Sequence, residues 1–272
     1  MDSWSVTVSS SSDGMSDEPL ISCLCISRKR PHLLEKAMQC FLAQTYANKE
    51  LVVIHPASDT ATRECIENAR CESIHSCAVD QPGATLGDLR NISIERAAGA
   101  LCCVWDDDDW HSPNRLSAQC SALQASKKHA VILSRLLVHD SRTARAYLGY
   151  ERLWENTTLF AKDKIIELGL RYPSLNRFED YEFVNSLVRH NLVYPLLDPT
   201  LYVYQVNGSN TSGGEHFDAL IKRCAPLSTE QSDVVKSCVD FTTPPLLAHE
   251  AMQAESFRSS FCYVRSSAVP RA

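Results

Sequence analysis

Four adjacent carboxylates, Asp106-Asp107-Asp108-Asp109, stand directly after the apolar run Ala100-Leu101-Cys102-Cys103-Val104-Trp105. Side by side they repel one another, and a folded site keeps them ionised only with a cation or hydrogen-bond donors nearby. The apolar run reads as a buried strand, and Ser112-Pro113 reads as the N-cap and first residue of a helix. The acids then lie in a strand-to-helix loop, and in open α/β sheets ligands bind outside the carboxyl ends of strands. Hard carboxylate oxygens suit Mg²⁺ or Mn²⁺, held through one or two carboxylates together with substrate phosphates. The plainer reading is a solvated acidic loop or a set of helix-capping acids. The strand before the acids and the proline after them favour a metal–phosphate site.

The elements that would position this loop follow from apolar spacing. Order is expected to begin at the apolar strand 19–26, after a Ser-, Asp- and Gly-rich lead-in over residues 1–18 without periodicity. Leu33, Leu34, Ala37, Met38, Phe41 and Leu42 recur at helical spacing within 31–44. Leu51–Ile54 reads as a second buried strand, 58–69 as a helix capped by Ser58 or Asp59, and 86–98 as a helix stopped by Gly99. A fourth helix is expected over 113–127 and a strand over 131–138. Helices over 161–168, ended by Gly169, and 180–190 follow, then short strands over 192–197 and 201–206. This alternation predicts a doubly wound α/β sheet. From about Pro226 onward the chain mixes helix-like pieces with Ser and Pro and carries no readable motif.

Composition bounds the class. The chain of 272 residues is 44% hydrophobic, enough for one large α/β domain or two small ones. Its net charge of −6 argues against a nucleic-acid binder. No apolar run approaches the roughly 18–20 residues that span a bilayer. No basic region followed by a hydrophobic one opens the chain, so no signal peptide is read and a cytoplasmic location is expected, with peripheral membrane contact left open. The twelve cysteines lie partly in apolar strands, and the spacing of Cys65, Cys71, Cys77 and His75 matches no usual zinc pattern. Reduced thiols are expected.

The segment Leu86-Gly87-Asp88-Leu89-Arg90-Asn91, then Ala97-Ala98-Gly99-Ala100, then Trp105 and Asp106–Asp109 with Pro113 and Arg115-Leu116, resembles the family 2 glycosyltransferases. Arg30-Pro31-His32-Leu33-Leu34 through Gln44-Thr45-Tyr46 and Glu50–Val53 looks like that family's first strand, helix and second strand. Trp154-Glu155-Asn156 resembles its acceptor-side segment and Phe178-Glu179-Asp180 its "ED" motif, so the likeness covers about residues 19–217. It implies a GT-A domain over 19–217, a Rossmann-like α/β fold with a mixed, mainly parallel sheet flanked by helices, and 218–272 as a mostly helical extension of unknown role. It also implies inverting transfer of a sugar from a nucleotide-diphosphate donor to a glycan, lipid-linked or protein acceptor.

On this reading Asp108, with Asp106 or Asp109, holds Mn²⁺ or Mg²⁺ against the leaving diphosphate. Asp106 faces the donor sugar or ribose, on the same side as Asp108 if the backbone stays extended, and Asp107 caps the loop. Asp180 is the candidate general base, or simply the N-cap of its helix, and Glu179 orients the loop or an acceptor hydroxyl. Ser27-Arg28-Lys29-Arg30, with Ser27 and Arg28 foremost, suits phosphate, or is a solvated basic turn. Arg90 reaches the donor or braces the acids. Trp110, Trp154, Glu155 and His216 are candidate sugar or acceptor contacts, with packing as the alternative.

One departure from the family pattern stands out. His55-Pro56-Ala57-Ser58-Asp59 lacks the usual base-reading acid after the second strand, unless Asp59 replaces it. A degenerate domain that binds sugar nucleotide or a partner without turnover is therefore the alternative. The absent QxxRW-type motif favours single transfers. The absence of glycine at Ser27–Arg30 disfavours a nucleotidyltransferase.

Overall fold

The computed structural model describes residues 18–207 and 214–263. The lead-in read over residues 1–18 therefore lies, apart from Glu18, outside the described residues. Strand and helix alternate from the start: β1 (Ile21–Ile26), α1 (Pro31–Leu42), β2 (Lys49–Pro56), α2 (Thr60–Ala69), β3 (Ile74–Val79), α3 (Leu86–Arg96) and β4 (Leu101–Val104). Then follow β5 (Trp110–His111), α4 (Arg115–Ser126), β6 (Ala130–Leu133), β7 (Leu137–Asp140), β8 (Arg145–Leu148), β9 (Leu159–Ala161), α5 (Lys162–Glu167) and α6 (Glu179–Arg189). The chain continues through β10 (Val193–Leu196), β11 (Tyr202–Val206), α7 (Gly214–Arg223), β12 (Ala225–Pro226), α8 (Thr229–Val239), α9 (Pro245–Gln253) and α10 (Glu255–Tyr263).

The main sheet has the order β10-β6-β9-β4-β1-β2-β3, and only its β9 pairings are antiparallel. A second sheet, β12-β8-β7-β11-β5, lies beside it. The chain winds from β1 outward through β2 to β3, then returns to add β4 on the other side of β1. That reversal makes a switch point between β1 and β4, and the loops leaving their carboxyl ends are Ser27–Arg30 and Trp105–Asp109.

Local chemistry explains these elements. Helix α1 starts with Pro31 and buries Leu34, Ala37, Met38 and Phe41, a helical stripe facing the sheet. Asp59 caps α2 by accepting from Thr62 N, and Thr85 and Asp88 form a capping box on α3. Gly99 does not stop α3, which ends at Arg96. It is there for space, since a Cβ would lie 2.5 Å from the Leu20 carbonyl oxygen.

The apolar run read as one strand over 131–138 is two strands in different sheets, β6 and β7, with Ser134–Leu136 carrying the chain across. Strand β3 escaped the sequence pattern because it is an edge strand in which only Ile74 is buried. Helices α8 to α10 share the main core: Val235, Cys238, Val239, Ala248, Met252 and Phe257 pack in one cluster with Phe41, Trp105 and Trp110.

Candidate active site

The four acids diverge. Residues 107 and 108 form a turn rather than extended chain, so Asp106 and Asp108 do not share a strand face as expected. Asp106 turns toward α3, where its Oδ1 lies 3.7 Å from Arg90 Nη2. Asp107 is buried and turns back to the β1 loop: Ser27 Oγ donates to its Oδ2 at 2.6 Å and Arg30 Nη2 to its Oδ1 at 2.5 Å. Instead of capping its own loop, Asp107 ties together the two loops of the switch point. Asp108 is partly exposed and meets Arg30 Nη1 at 3.1 Å.

Asp109 departs from the metal role expected of it. It is buried, with Oδ2 accepting from Tyr202 OH at 2.6 Å and Asn156 Nδ2 at 3.3 Å, and Oδ1 accepting from Gln205 N at 2.7 Å. The turn at 107–108 points its carboxylate into β11, where it fastens the loop from behind. Asn156 serves Asp109 in this way.

The elements beneath the loop explain how it stays fixed. His111 Nε2 donates to the Asp106 carbonyl at 3.1 Å, and Arg115 Nη1 donates to His111 Nδ1 at 2.5 Å. Because arginine only donates and a carbonyl only accepts, His111 is neutral with its proton on Nε2. Burial, then the Arg115 charge, hold His111 well below its ordinary pKa. Arg115 is fully buried and also donates to the Val104 carbonyl at 2.9 Å and Gln119 Oε1 at 3.1 Å. The His111 ring stacks on Trp105 at 3.8 Å, and the Arg115 guanidinium lies over Tyr202 at 4.8 Å. Sequence reasoning missed this clamp, apart from placing Arg115 in a family-like stretch.

Arg90 braces the other side. Its Nε donates to Glu179 Oε1 at 3.1 Å while its Nη2 faces Asp106. Glu179 is buried, so its carboxylate holds Arg90 rather than an acceptor hydroxyl. Asp180 lies in the first turn of α6 and is not its N-cap, a position filled by Phe178 at φ 65° without a side-chain cap bond. Asp180 Oδ1 accepts from Tyr181 N at 2.8 Å. Its negative charge adds to those raising Asp106 and Glu155, which brings α6 and the acidic loop into one electrostatic neighbourhood.

The acids are poised high. Burial, then the charges of Asp108 and Asp180, push Asp106 up to about 6 against the pull of Arg90, although a quarter of its side chain remains exposed. Burial and Asp108 push Asp107 up to about 7, opposed by Arg30 and Ser27. Asp108 is raised by burial and eased by Arg30.

In the β1 loop, Ser27 and Arg30 reach the acids, whereas Arg28 is exposed. Lys29 at φ 55° turns the chain between them, and its N donates to Asp59 Oδ2 at 2.6 Å. Asp59 also accepts from Thr62 N and Oγ1, so protein donors engage the one acid of the 55–59 segment. His55 is buried and paired with Ser76 Oγ and its neighbour's carbonyl.

Three candidate sugar contacts are withdrawn from the surface or otherwise engaged. Trp110 is fully buried in the core, and Trp154 is buried with Nε1 on the Tyr150 carbonyl at 3.3 Å. Glu155 is paired with Arg152. His216 is exposed on α7, with its ring against Phe217 at 5.4 Å.

Among the described residues no cluster of three His, Cys, Asp or Glu side chains forms a ready-made metal cage. The donor set suits a cation of another kind, held by a single carboxylate with the remaining positions filled by water and phosphate oxygen. Asp108 offers such a partly exposed carboxylate.

The Glycosyl transferase family 2 model matches residues 22–183. No curated protein matches the chain in sequence. Among solved structures, S. aureus TarS 1–349 in complex with UDP is similar at TM-score 0.59 and 15% identity, covering 89% of this chain and 74% of that one. The same protein in complex with UDP-GlcNAc matches at TM-score 0.59 and 13% identity, over 89% and 75%. The mannosyltransferase PcManGT from Pyrobaculum calidifontis, in complex with GDP-Man and Mn²⁺, matches at TM-score 0.57 and 13% identity, over 94% and 77%. At these identities the likeness is one of fold.

Proposed function

The chain belongs to glycosyltransferase family 2, and we propose that it transfers a sugar from a nucleotide-diphosphate donor to an acceptor hydroxyl. Transfer proceeds with inversion, depends on a divalent cation and occurs one sugar at a time. The observation that carries this reading is the placing of Asp106 and Asp108 at the switch point, braced by Arg90 and Arg30, with the Asp180 charge near enough to raise Asp106. The donors seen with TarS and PcManGT, UDP-GlcNAc and GDP-Man, and the Mn²⁺ with the latter, support the same class of ligands.

Asp180 takes the proton of the acceptor hydroxyl as that oxygen attacks the anomeric carbon and the bond to the diphosphate oxygen breaks. Asp106, steadied by Arg90, accepts from a donor sugar or ribose hydroxyl. Glu179 acts through Arg90, and Ser27 through Asp107. The exposed Arg28 lies in the loop where a phosphate would approach, a charge-assisted partner. A cation bound at Asp108 supplies positive charge to the leaving diphosphate.

One observation favours a second reading, a domain that binds the donor without turnover. Asp59, the one carboxylate of the His55–Asp59 segment, is buried and already accepts three hydrogen bonds from the protein. Donor hydrolysis in the presence of Mn²⁺ separates the two readings.

The proposal is tested by thermal shift with nucleotide sugars, with and without Mn²⁺, since a ligand of the native state raises its melting temperature. A UDP- or GDP-sugar is expected to stabilise the protein only with the metal, and Asp108→Ala to abolish that shift while the unliganded protein still melts cooperatively. A shift that survives chelator, or Asp108→Ala, would remove the metal from the account.

A further inference from the structure

We propose that Arg30 stands in for the divalent cation in the donor-free protein, so that guanidinium and metal compete for Asp108. The inference rests on the reading of Asp108 as the metal ligand and adds a device that governs when the metal can enter.

Arg30 spans two acids of different character. One arm, Nη2, meets Asp107 Oδ1 at 2.5 Å, and the other, Nη1, meets Asp108 Oδ2 at 3.1 Å. The Asp107 side chain is 1% exposed and its second oxygen accepts from Ser27 Oγ, so this end is fixed from both sides. The Asp108 side chain is 14% exposed and that of Arg30 27%, so the second contact opens to solvent. The shorter, buried contact is the anchor and the longer, wetter one is the arm that releases.

Backbone geometry makes such a release local. Arg30 immediately precedes Pro31, the first residue of α1, and Leu33 N and Leu34 N both donate to the Arg30 carbonyl. The helix start therefore fixes the Arg30 main chain. Withdrawal of Nη1 from Asp108 needs only side-chain rotation about the Asp107 anchor.

Electrostatics sets the consequence. A divalent cation coordinated by Asp108 would sit within a few ångströms of the guanidinium. At ~5 Å the repulsion between them weakens metal binding by about tenfold or more, even with the dielectric of bulk water. A nucleoside diphosphate changes the balance, because its phosphate oxygens offer the freed arm a new charge-assisted partner. Metal alone is thus opposed and metal with diphosphate is admitted, which makes binding of the two cooperative. In the donor-free protein Arg30 also partly offsets the charges of Asp107 and Asp108.

The test is direct Mn²⁺ binding to the full chain, read from the EPR signal of free Mn²⁺. Wild type, Arg30→Met and Asp108→Asn are compared without nucleotide and with UDP or GDP. Arg30→Met is expected to bind Mn²⁺ alone at least about tenfold more tightly than wild type. It is also expected to lose most of the enhancement that nucleotide gives wild type. Adding Asp108→Asn to Arg30→Met should abolish the gain. Equal Mn²⁺ affinity in wild type and Arg30→Met, both sensitive to Asp108→Asn, overturns the competition while the metal assignment survives. Mn²⁺ binding indifferent to Asp108→Asn overturns the assignment itself. Should Arg30→Met melt without cooperativity, Arg30→Gln, which keeps an amide donor for Asp107, carries the same comparison.

Discussion

The residues that hold the site are as telling as those that would do its chemistry. Arg115 is a fully buried cation whose hydrogen-bond partners, His111, Gln119 and the Val104 carbonyl, are neutral. Its charge is balanced instead by the Trp105 and Tyr202 rings and by the field of the acids above. Arginine fits here where lysine would not, because three separate acceptors need a planar fork. Replacing Arg115 by Met leaves the His111 Nδ1 and the Val104 carbonyl buried without that donor, each costing about 1–3 kcal/mol. Arg115→Met is therefore expected to lower unfolding free energy by about 2–4 kcal/mol in urea denaturation. A change within about 0.5 kcal/mol would mean that the clamp contributes nothing to stability. The chemical alphabet of the site was legible in the chain: the acid run announced itself as charge after an apolar strand, and the Glu179–Asp180 pair through its resemblance to the family's motif. Which acid met which partner was not. Lys29 in the left-handed region decides that Arg30, and not Arg28, points inward, and the 107–108 turn decides that Asp109 faces β11. Neither conformation is written in residue type.

At the scale of elements, the site depends on how closely α3 approaches the segment leading into α6. Gly87 permits this approach, since a Cβ there would lie 1.8 Å from the Pro173 carbonyl oxygen and 3.4 Å from the Glu179 Cβ. The same helix carries Arg90, one turn on, to Glu179 and Asp106, and Asn91 to the Tyr172 backbone through two bonds of 2.8 and 3.0 Å. Gly87→Ala must push α3 away from backbone rather than from a flexible side chain. Overpacking of this kind costs about 1–3 kcal/mol. The variant is expected to melt earlier and to bind donor more weakly, because the shift would carry Arg90 away from Asp106. Unchanged melting and donor affinity would show that the two segments are not coupled. Apart from the edge strand β3, the alternation from β1 to α3 was readable because buried parallel strands are continuous apolar runs and their helices carry a 3.6-residue stripe. The short strands β5, β8, β9 and β12 span two to four residues and take their identity from long-range pairing partners, which no local pattern reveals.

At the scale of the molecule, the chain brings four distant stretches to one end of a twisted sheet: the loops after β1 and β4, helix α3, and the start of α6. The C-terminal helices, unreadable in motif terms, contribute core: Cys238 and Met252 are fully buried, and His249 bonds Ser112 Oγ at 2.8 Å and Asn114 Nδ2 at 2.9 Å beside the start of α4. Ser112 does not cap α4: its Oγ accepts from Asn114 N at 3.2 Å in the turn before the helix, and the N-cap position is Asn114. Among the described residues no helix is long and apolar enough to cross a membrane. What the assembled end does chemically turns on one group. Asp180→Asn keeps the size of the side chain and an oxygen for Tyr181 N, so stability should change by less than roughly 1 kcal/mol. Donor and metal contacts belong to other loops and should persist. The decisive measurement is sugar transfer by this variant alongside its donor binding with Mn²⁺. The account predicts transfer reduced by about 10²–10⁴-fold with donor affinity retained; transfer at the wild-type rate would contradict it.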